Sequence, residues 1–208
     1  SIPISAGLGS GASISCAIAS AISNFLGHPF TPGEVSAIAF EVDKLYHGTP
    51  SGVDNTVIAY KQPVYYQRGA EIQPQSVGKT MQFVIADTGI QAKTADVVSA
   101  VRERWQTDPA KYDDLFQQID QLVVSAHETI SSGDINTTGK LMNENHILLK
   151  KLGVSHPLLD RLVEAALGSH ALGAKLSGAG CGGNMIALTL EKDVPELQQA
   201  LLAAGAKQ

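Results

Sequence analysis

His47-Gly48-Thr49-Pro50-Ser51-Gly52-Val53-Asp54-Asn55 gathers two glycines, a proline, a histidine and a carboxylate into one short stretch. Gly48 and Gly52 permit backbone angles that other residues avoid, and Pro50 stiffens the path between them. A loop of this kind holds Asp54 in one place. A fixed carboxylate can orient a substrate hydroxyl and accept its proton. The same Asp-Asn pair can also do no more than cap a turn. His47 reads either as a ligand or as a hydrogen-bonded turn residue, and the residues alone favour the turn.

Upstream lies Gly7-Leu8-Gly9-Ser10-Gly11-Ala12, a flexible turn that runs into a helix. Ile14, Ile18, Ile22 and Phe25 recur at helical spacing. The remaining positions are mostly Ala and Ser, so a neighbour can approach closely. Glycines before a helix bring backbone near a ligand, and the helix offers unpaired N–H groups at its positive end. That suits a phosphate, with the Ser10 hydroxyl available to the phosphate or to Mg²⁺. A plain strand-to-helix turn explains the glycines equally well. The G-x-x-x-x-G-K-[ST] phosphate loop is absent. The dinucleotide pattern G-x-G-x-x-[GA] is met, but it needs an acidic residue on a second strand about 20 positions on. The nearest candidate, Glu34, belongs to the capping box Thr31-Pro32-Gly33-Glu34 that opens a helix.

Downstream, Lys175-Leu176-Ser177-Gly178-Ala179-Gly180-Cys181-Gly182-Gly183 is a strand entering a second glycine loop. So many glycines cost conformational entropy, and close approach to a ligand is the expected reason. Cys181 reads as a small residue in a crowded loop rather than a reactive one. A strand follows this loop, not a helix, which removes its dinucleotide reading.

The rest of the chain narrows the class. It has 208 residues, 44% hydrophobic and 17% charged, enough for one large domain or two small ones. The formal net charge is −5 with no basic patch, so nucleic acid is not an expected partner. Cys16 and Cys181 form no C-x-x-C pair, and no apolar run is long enough to span a membrane. A cytoplasmic setting is expected. G-x-S-x-G and H-E-x-x-H are both missing, and the histidines show no metal-ligand spacing. His146 and His156 read as helix-surface or cap residues. Ser1-Ile2-Pro3-Ile4, without a starting Met, reads as the end of a strand, as though the chain began inside a fold.

The pattern predicts a second helix to about Tyr46, strands over 56–60 and 64–67, and a polar boundary over 73–80. A strand over 81–86 follows, then helices near 94–105, 110–131, 134–151 and 156–168. Leu115, Ile119, Leu122, Ala126 and Ile130 form one face of the second of these, and Asp134 is an N-cap for the third. Short strands over 174–177 and 184–190 and a closing helix over 194–204 complete the chain. Mixed rather than alternating elements favour an α+β fold.

In this order, the three constellations resemble the GHMP kinases, and the 47–55 loop is closest to the form found in the mevalonate kinase branch. Residues 88–94, and residues 143–153 with their Asn, His and Leu-Gly, are similar to the same branch. The resemblance implies a two-domain fold: a ribosomal protein S5 domain 2-like ATP-binding part over 1–75 and a ferredoxin-like α+β part over 76–208. It implies phosphoryl transfer from ATP, with Mg²⁺, to the terminal hydroxyl of mevalonate or a similar small alcohol, and possible homodimers. Gly7, Leu8, Gly9, Ser10, Gly11 and Ala12 would hold the phosphates, and Asp54 would be the base. His47, Ser51, Thr94, Gly178 and Ala179 would line the substrate, and Ser10 and Asp43 would hold the metal. Such a reaction depends on positioning and charge neutralisation.

The chain departs from the family pattern at three places. Gly11 stands where a second serine is usual, Asp43 where Glu is usual (with Glu41 as a substitute), and Cys181 where glycine is usual. The family's first motif, which carries a Lys beside the catalytic Asp, normally lies well upstream, so the chain reads as lacking it. Another GHMP kinase or a non-catalytic remnant stays open as an alternative.

Overall fold

The computed structural model describes residues 9–47 and 50–207, the side chains of Tyr46 and His47 excepted. The chain divides into two compact units between Ser76 and Val77.

The first unit contains helices α1 (Ser10–Phe25), α2 (Pro32–His47) and α3 (Val53–Tyr60), and a short antiparallel pair, β1 (Val64–Tyr65) with β2 (Gln73–Pro74). The face of α1 that packs is the small one. Ala12, Cys16, Ala19 and Ser23 are buried, while Ile14, Ile18 and Ile22 stay more than half exposed and Phe25 is 90% exposed. Small residues let helices close on each other, so the core is Cys16, Ala19, Val35, Ala39 and Ala59. The capping box forms as expected. Thr31 N–H donates to Glu34 Oε2 at 2.8 Å and Glu34 N–H returns to Thr31 Oγ1 at 3.3 Å.

Residues 56–60, expected as a strand from their β-branched content, are helical. Gly52 adopts φ 89° and starts α3, the Ser51 hydroxyl accepts from Val53 N–H at 3.3 Å, and Thr56 Oγ1 donates to Gly52 O at 2.6 Å. The buried residues Asn55, Thr56 and Ala59 then share the side facing α1 and α2. Tertiary packing outweighs a β preference that spans only about 1 kcal/mol. The expected strand over 64–67 is shorter, two residues, and the polar stretch after it supplies β2.

The second unit is an antiparallel sheet of β3 (Gln82–Asp87), β5 (Asn184–Thr189) and β4 (Gly173–Ser177), in that order. Helices α4 (Thr94–Thr107), α5 (Pro109–Ser132), α6 (Ile135–Leu152), α7 (Pro157–Gly168) and α8 (Val194–Ala203) accompany it. Alternation sends Val84, Ala86, Ala174, Leu176, Met185 and Ala187 into one core with Leu159, Leu162, Leu197 and Leu201. Fully burying a Leu or Met contributes roughly 1.5–3 kcal/mol. This core is therefore stronger than the alanine-rich one of the first unit. Asp134 caps α6 by accepting from Thr137 N–H at 3.0 Å, and Gly133 and Gly153 end α5 and α6 in the left-handed region.

Strand β4 is an edge, and α6 closes it. The outward N–H of Ala174 donates to Asn143 Oδ1 at 2.8 Å, and that of Leu176 to His146 Nδ1 at 3.3 Å. Unpaired edge groups invite pairing with other chains, so side chains from a helix stand in for a missing strand. The helix reaches this close only through glycine: a Cβ on Gly139 would sit 2.4 Å from Leu172 O. His146 is thus a buried residue and not the helix-surface one expected, because its ring faces the sheet edge. His156 is a cap, its Nδ1 accepting from Leu158 N–H at 3.1 Å.

Gly139→Ala is expected to destabilise the second unit by at least about 2 kcal/mol, because backbone must move. Gly168→Ala, with open space around it, is expected to be neutral or to stabilise by up to about 1 kcal/mol. Urea titrations followed by circular dichroism would compare the two.

Candidate active site

In the first unit, Gly9 and Asp54 come together. Gly9 is the N-cap of α1 at φ 70°, and a Cβ there would lie 3.5 Å from both Cβ and Cγ of Asp54 and 3.3 Å from Ile58 Cδ1. The carboxylate therefore sits at the N-terminal end of α1, beside the N–H groups of Ser10, Gly11 and Ala12, which have no partner within the helix. Ser13 N–H makes the first helical bond, to Gly9 O at 2.9 Å. Asp54 is exposed in the first turn of α3. Gly7 and Leu8 lie outside the described residues, as does the side chain of His47.

The loop carrying Asp54 is held from several sides. Asn55 donates to Ser36 O at 3.0 Å and to Ser36 Oγ at 2.9 Å. Tyr66 donates its hydroxyl to Ser51 O at 2.8 Å, and the Arg68 guanidinium donates to Pro50 O. Tyr66 and Arg68 were not legible as loop supports, because they act across a turn with no fixed spacing. They also line a cavity of about 590 Å³ with Gly52, Asn55, Phe40 and Lys44. Asp54 is not among its walls, so this cavity and the carboxylate lie on different sides of α3.

Glu41 and Asp43 of α2 are the two acidic residues that the sequence offered as candidate metal ligands. Glu41 is exposed and pairs with Lys44 at 2.6 Å. Asp43 is half-buried, and its charge, after burial itself, holds the Cys16 thiol above its usual range. Asp43 therefore faces α1, and Glu41 turns to solvent. Among the described residues no group of three or more His, Cys, Asp or Glu could hold a metal alone. A serine hydroxyl and one carboxylate still fit Mg²⁺, which commonly takes one or two carboxylates together with substrate phosphates and water.

In the second unit, the glycine loop over 178–183 sits between two anchors. Cys181 N–H donates to Val154 O at 2.7 Å, and Gly183 N–H to Ile90 O at 2.8 Å. Thr88 donates its own N–H and hydroxyl to Gly183 O at 3.0 and 2.8 Å. A Cβ on Gly180 would meet Val154 O at 2.0 Å, and one on Gly182 would meet Ile90 O at 2.5 Å. These two glycines approach the protein's own backbone, which corrects the expectation that the loop's glycines serve a ligand. Gly178, at φ 85° with open space around it, and the half-buried Ala179 keep that expectation. Thr94, exposed at the start of α4, is brought to the same end of the sheet by the Ile90 anchor. Cys181 adopts φ 57°, a conformation that suits glycine better.

Family models of the GHMP kinases N terminal domain and the GHMP kinases C terminal match residues 1–62 and 125–207. The chain belongs to the GHMP kinase family. Its relatives within the family include the mevalonate kinases of Thermococcus sibiricus and Pyrococcus horikoshii, each 38% identical over 98% of the chain. The chain spans 62% of the length of each. A crystal structure of L. major mevalonate kinase in complex with R-mevalonate superposes with a TM-score of 0.90 at 34% identity, covering 96% of this chain and 63% of that one. The Methanococcus jannaschii mevalonate kinase gives 0.84 at 32% identity, over 99% and 64%. The GHMP kinase resemblance and the α+β, two-domain GHMP fold are both borne out.

Gly180→Ala is expected to destabilise the second unit by more than about 3 kcal/mol, from a left-handed alanine and a backbone clash together. Gly178→Ala, strained but unobstructed, is expected to cost about 1 kcal/mol. Equal losses for the two in chemical denaturation would contradict the anchored-loop geometry.

Proposed function

We propose that the protein carrying this chain transfers the γ-phosphoryl group of ATP to the terminal hydroxyl of mevalonate, giving 5-phosphomevalonate and ADP. The observation that carries the reading is the Asp54 carboxylate beside the N-cap glycine of α1. An anion-binding helix end and a proton acceptor then share one place, as attack of a hydroxyl on a phosphoryl group requires.

The N–H groups of Ser10, Gly11 and Ala12, continued upstream by Gly7, Leu8 and Gly9, receive the phosphates. Asp54 orients the attacking hydroxyl and takes its proton as the new P–O bond forms. Mg²⁺, when bound, neutralises phosphate charge. Ser10 and Asp43 would hold it, Asp43 being preferred over Glu41 because it faces α1. His47, Ser51, Thr94, Gly178 and Ala179 belong to the substrate side. The Ser51 hydroxyl is already engaged with Val53 N–H, so Ser51 acts chiefly by shaping the loop. Mevalonate as acceptor is supported by the names of the relatives and by the mevalonate-bound structural neighbour.

The described helices include none long and apolar enough to cross a membrane. Two free cysteines suit a reducing cytoplasm, and the possible homodimer rests on analogy with the family alone.

Asp54→Asn in the protein carrying this chain is expected to lower kcat by about 10²–10⁴-fold while ATP binding stays within a few-fold. ADP release would be followed with mevalonate and a panel of other small alcohols. Turnover of another alcohol in preference to mevalonate would overturn the substrate, and unchanged turnover in Asp54→Asn would overturn the role.

A further inference from the structure

The connection between α6 and α7 carries a cluster that the reaction above does not use. His146 is 5% exposed. Its Nδ1 accepts from Leu176 N–H at 3.3 Å, two residues before the glycine loop begins. Its Nε2 lies 3.2 Å from Asp160 Oδ1, without the alignment of a full hydrogen bond and with no other hydrogen-bond partner. Asp160 also accepts from Ser155 Oγ at 2.5 Å and pairs with Lys150 at 3.0 Å. Ser155 follows Val154, whose carbonyl holds Cys181 N–H at the middle of the loop. One imidazole–carboxylate pair thus reaches both the entry and the centre of the loop.

We propose that His146 is a positioning residue for the 178–183 loop, holding it in place as the neutral imidazole and releasing it on protonation. Nδ1 must be unprotonated to accept from Leu176 N–H. A proton there would set two donors against each other and break the tie between α6 and β4. The charged groups facing His146 are Asp160 from α7, Lys150 from its own helix and Lys175 from β4. Burial, helped by both lysines and opposed by Asp160, holds His146 below its usual value of 6.5. Burial raises Asp160, but the hydrogen bonds from Ser155 and Lys150 and the charges of Lys150 and His146 prevail, so its carboxyl lies below 3.8. The pair is neutral imidazole with carboxylate at neutral pH. The unfolded chain takes up the His146 proton more readily than the folded one. The stabilisation is therefore complete above 6.5 and is lost as pH falls below it toward the depressed folded value.

The catalytic side of this inference rests on the kinase reading, but its test does not. Amide hydrogen exchange of Leu176, Cys181 and Gly183 would be followed in the protein carrying this chain, with β3 amides as a folding control. In wild type, protection of the three amides is expected to drop at least about tenfold between about pH 7.5 and about pH 4.5. His146→Asn offers an acceptor that cannot titrate, so it is expected to keep protection within a few-fold at both values. His146→Leu is expected to lose it at the higher pH while β3 stays protected. Protection at Cys181 unchanged in His146→Leu overturns the proposal, and so does an acid loss in His146→Asn equal to wild type. If His146→Leu does not fold, the comparison of wild type with His146→Asn decides. Should phosphoryl transfer to mevalonate be absent altogether, the kinase reading fails and the exchange result stands by itself. Where transfer is present, the acid limb of kcat/KM moves to lower pH in His146→Asn.

Discussion

Backbone has to touch backbone in the second unit, and only glycine lets it. Gly139 and Gly173 bring α6 against the edge strand, Gly180 brings the loop onto Val154, and Gly182 brings it onto Ile90. At each place a Cβ would fall inside 3 Å of a neighbouring backbone atom. Without those approaches the side-chain caps of Asn143 and His146 would not reach the N–H groups of β4, and the loop would lose both its anchors. A Leu-rich core supplies the bulk stability, but the glycines decide where each element stops.

The first unit solves a related problem with alanine. Its helices meet through Ala19, Ala39, Ala59 and Cys16, and this close meeting brings the start of α3 beside the start of α1. Two helix N-termini and one carboxylate then occupy the same neighbourhood. The field of the helix ends favours anions there, and the carboxylate stands where it can take a proton.

Much of this was legible beforehand where local chemistry is self-contained. The Thr31–Glu34 box, the Asp134 cap and the helices from α4 to α7 follow from capping residues and apolar spacing, and the structure places their ends within a few residues of expectation. Two glycines and a proline marked the loop of Asp54 as a held one, but the role given to the carboxylate came from the family resemblance and not from local chemistry. The failures share a cause. Residues 56–60 carry β-branched side chains, yet contacts with two distant helices decide their conformation. His146 looked like surface because nothing local marks a ring that caps a strand 30 residues away. Spacing records what a segment can bury, and the partner decides what it does bury.

The two cysteines give the loop a chemical handle. Cys16 is buried, and its thiol is held above the usual range by burial and by Asp43. Cys181 is half-exposed at the centre of the glycine loop, directly on the Val154 anchor. A thiol-selective fluorophore would therefore discriminate between them by access. Cys181, in a left-handed conformation that glycine adopts more readily, is also a built-in attachment point from which the loop's environment can be read optically.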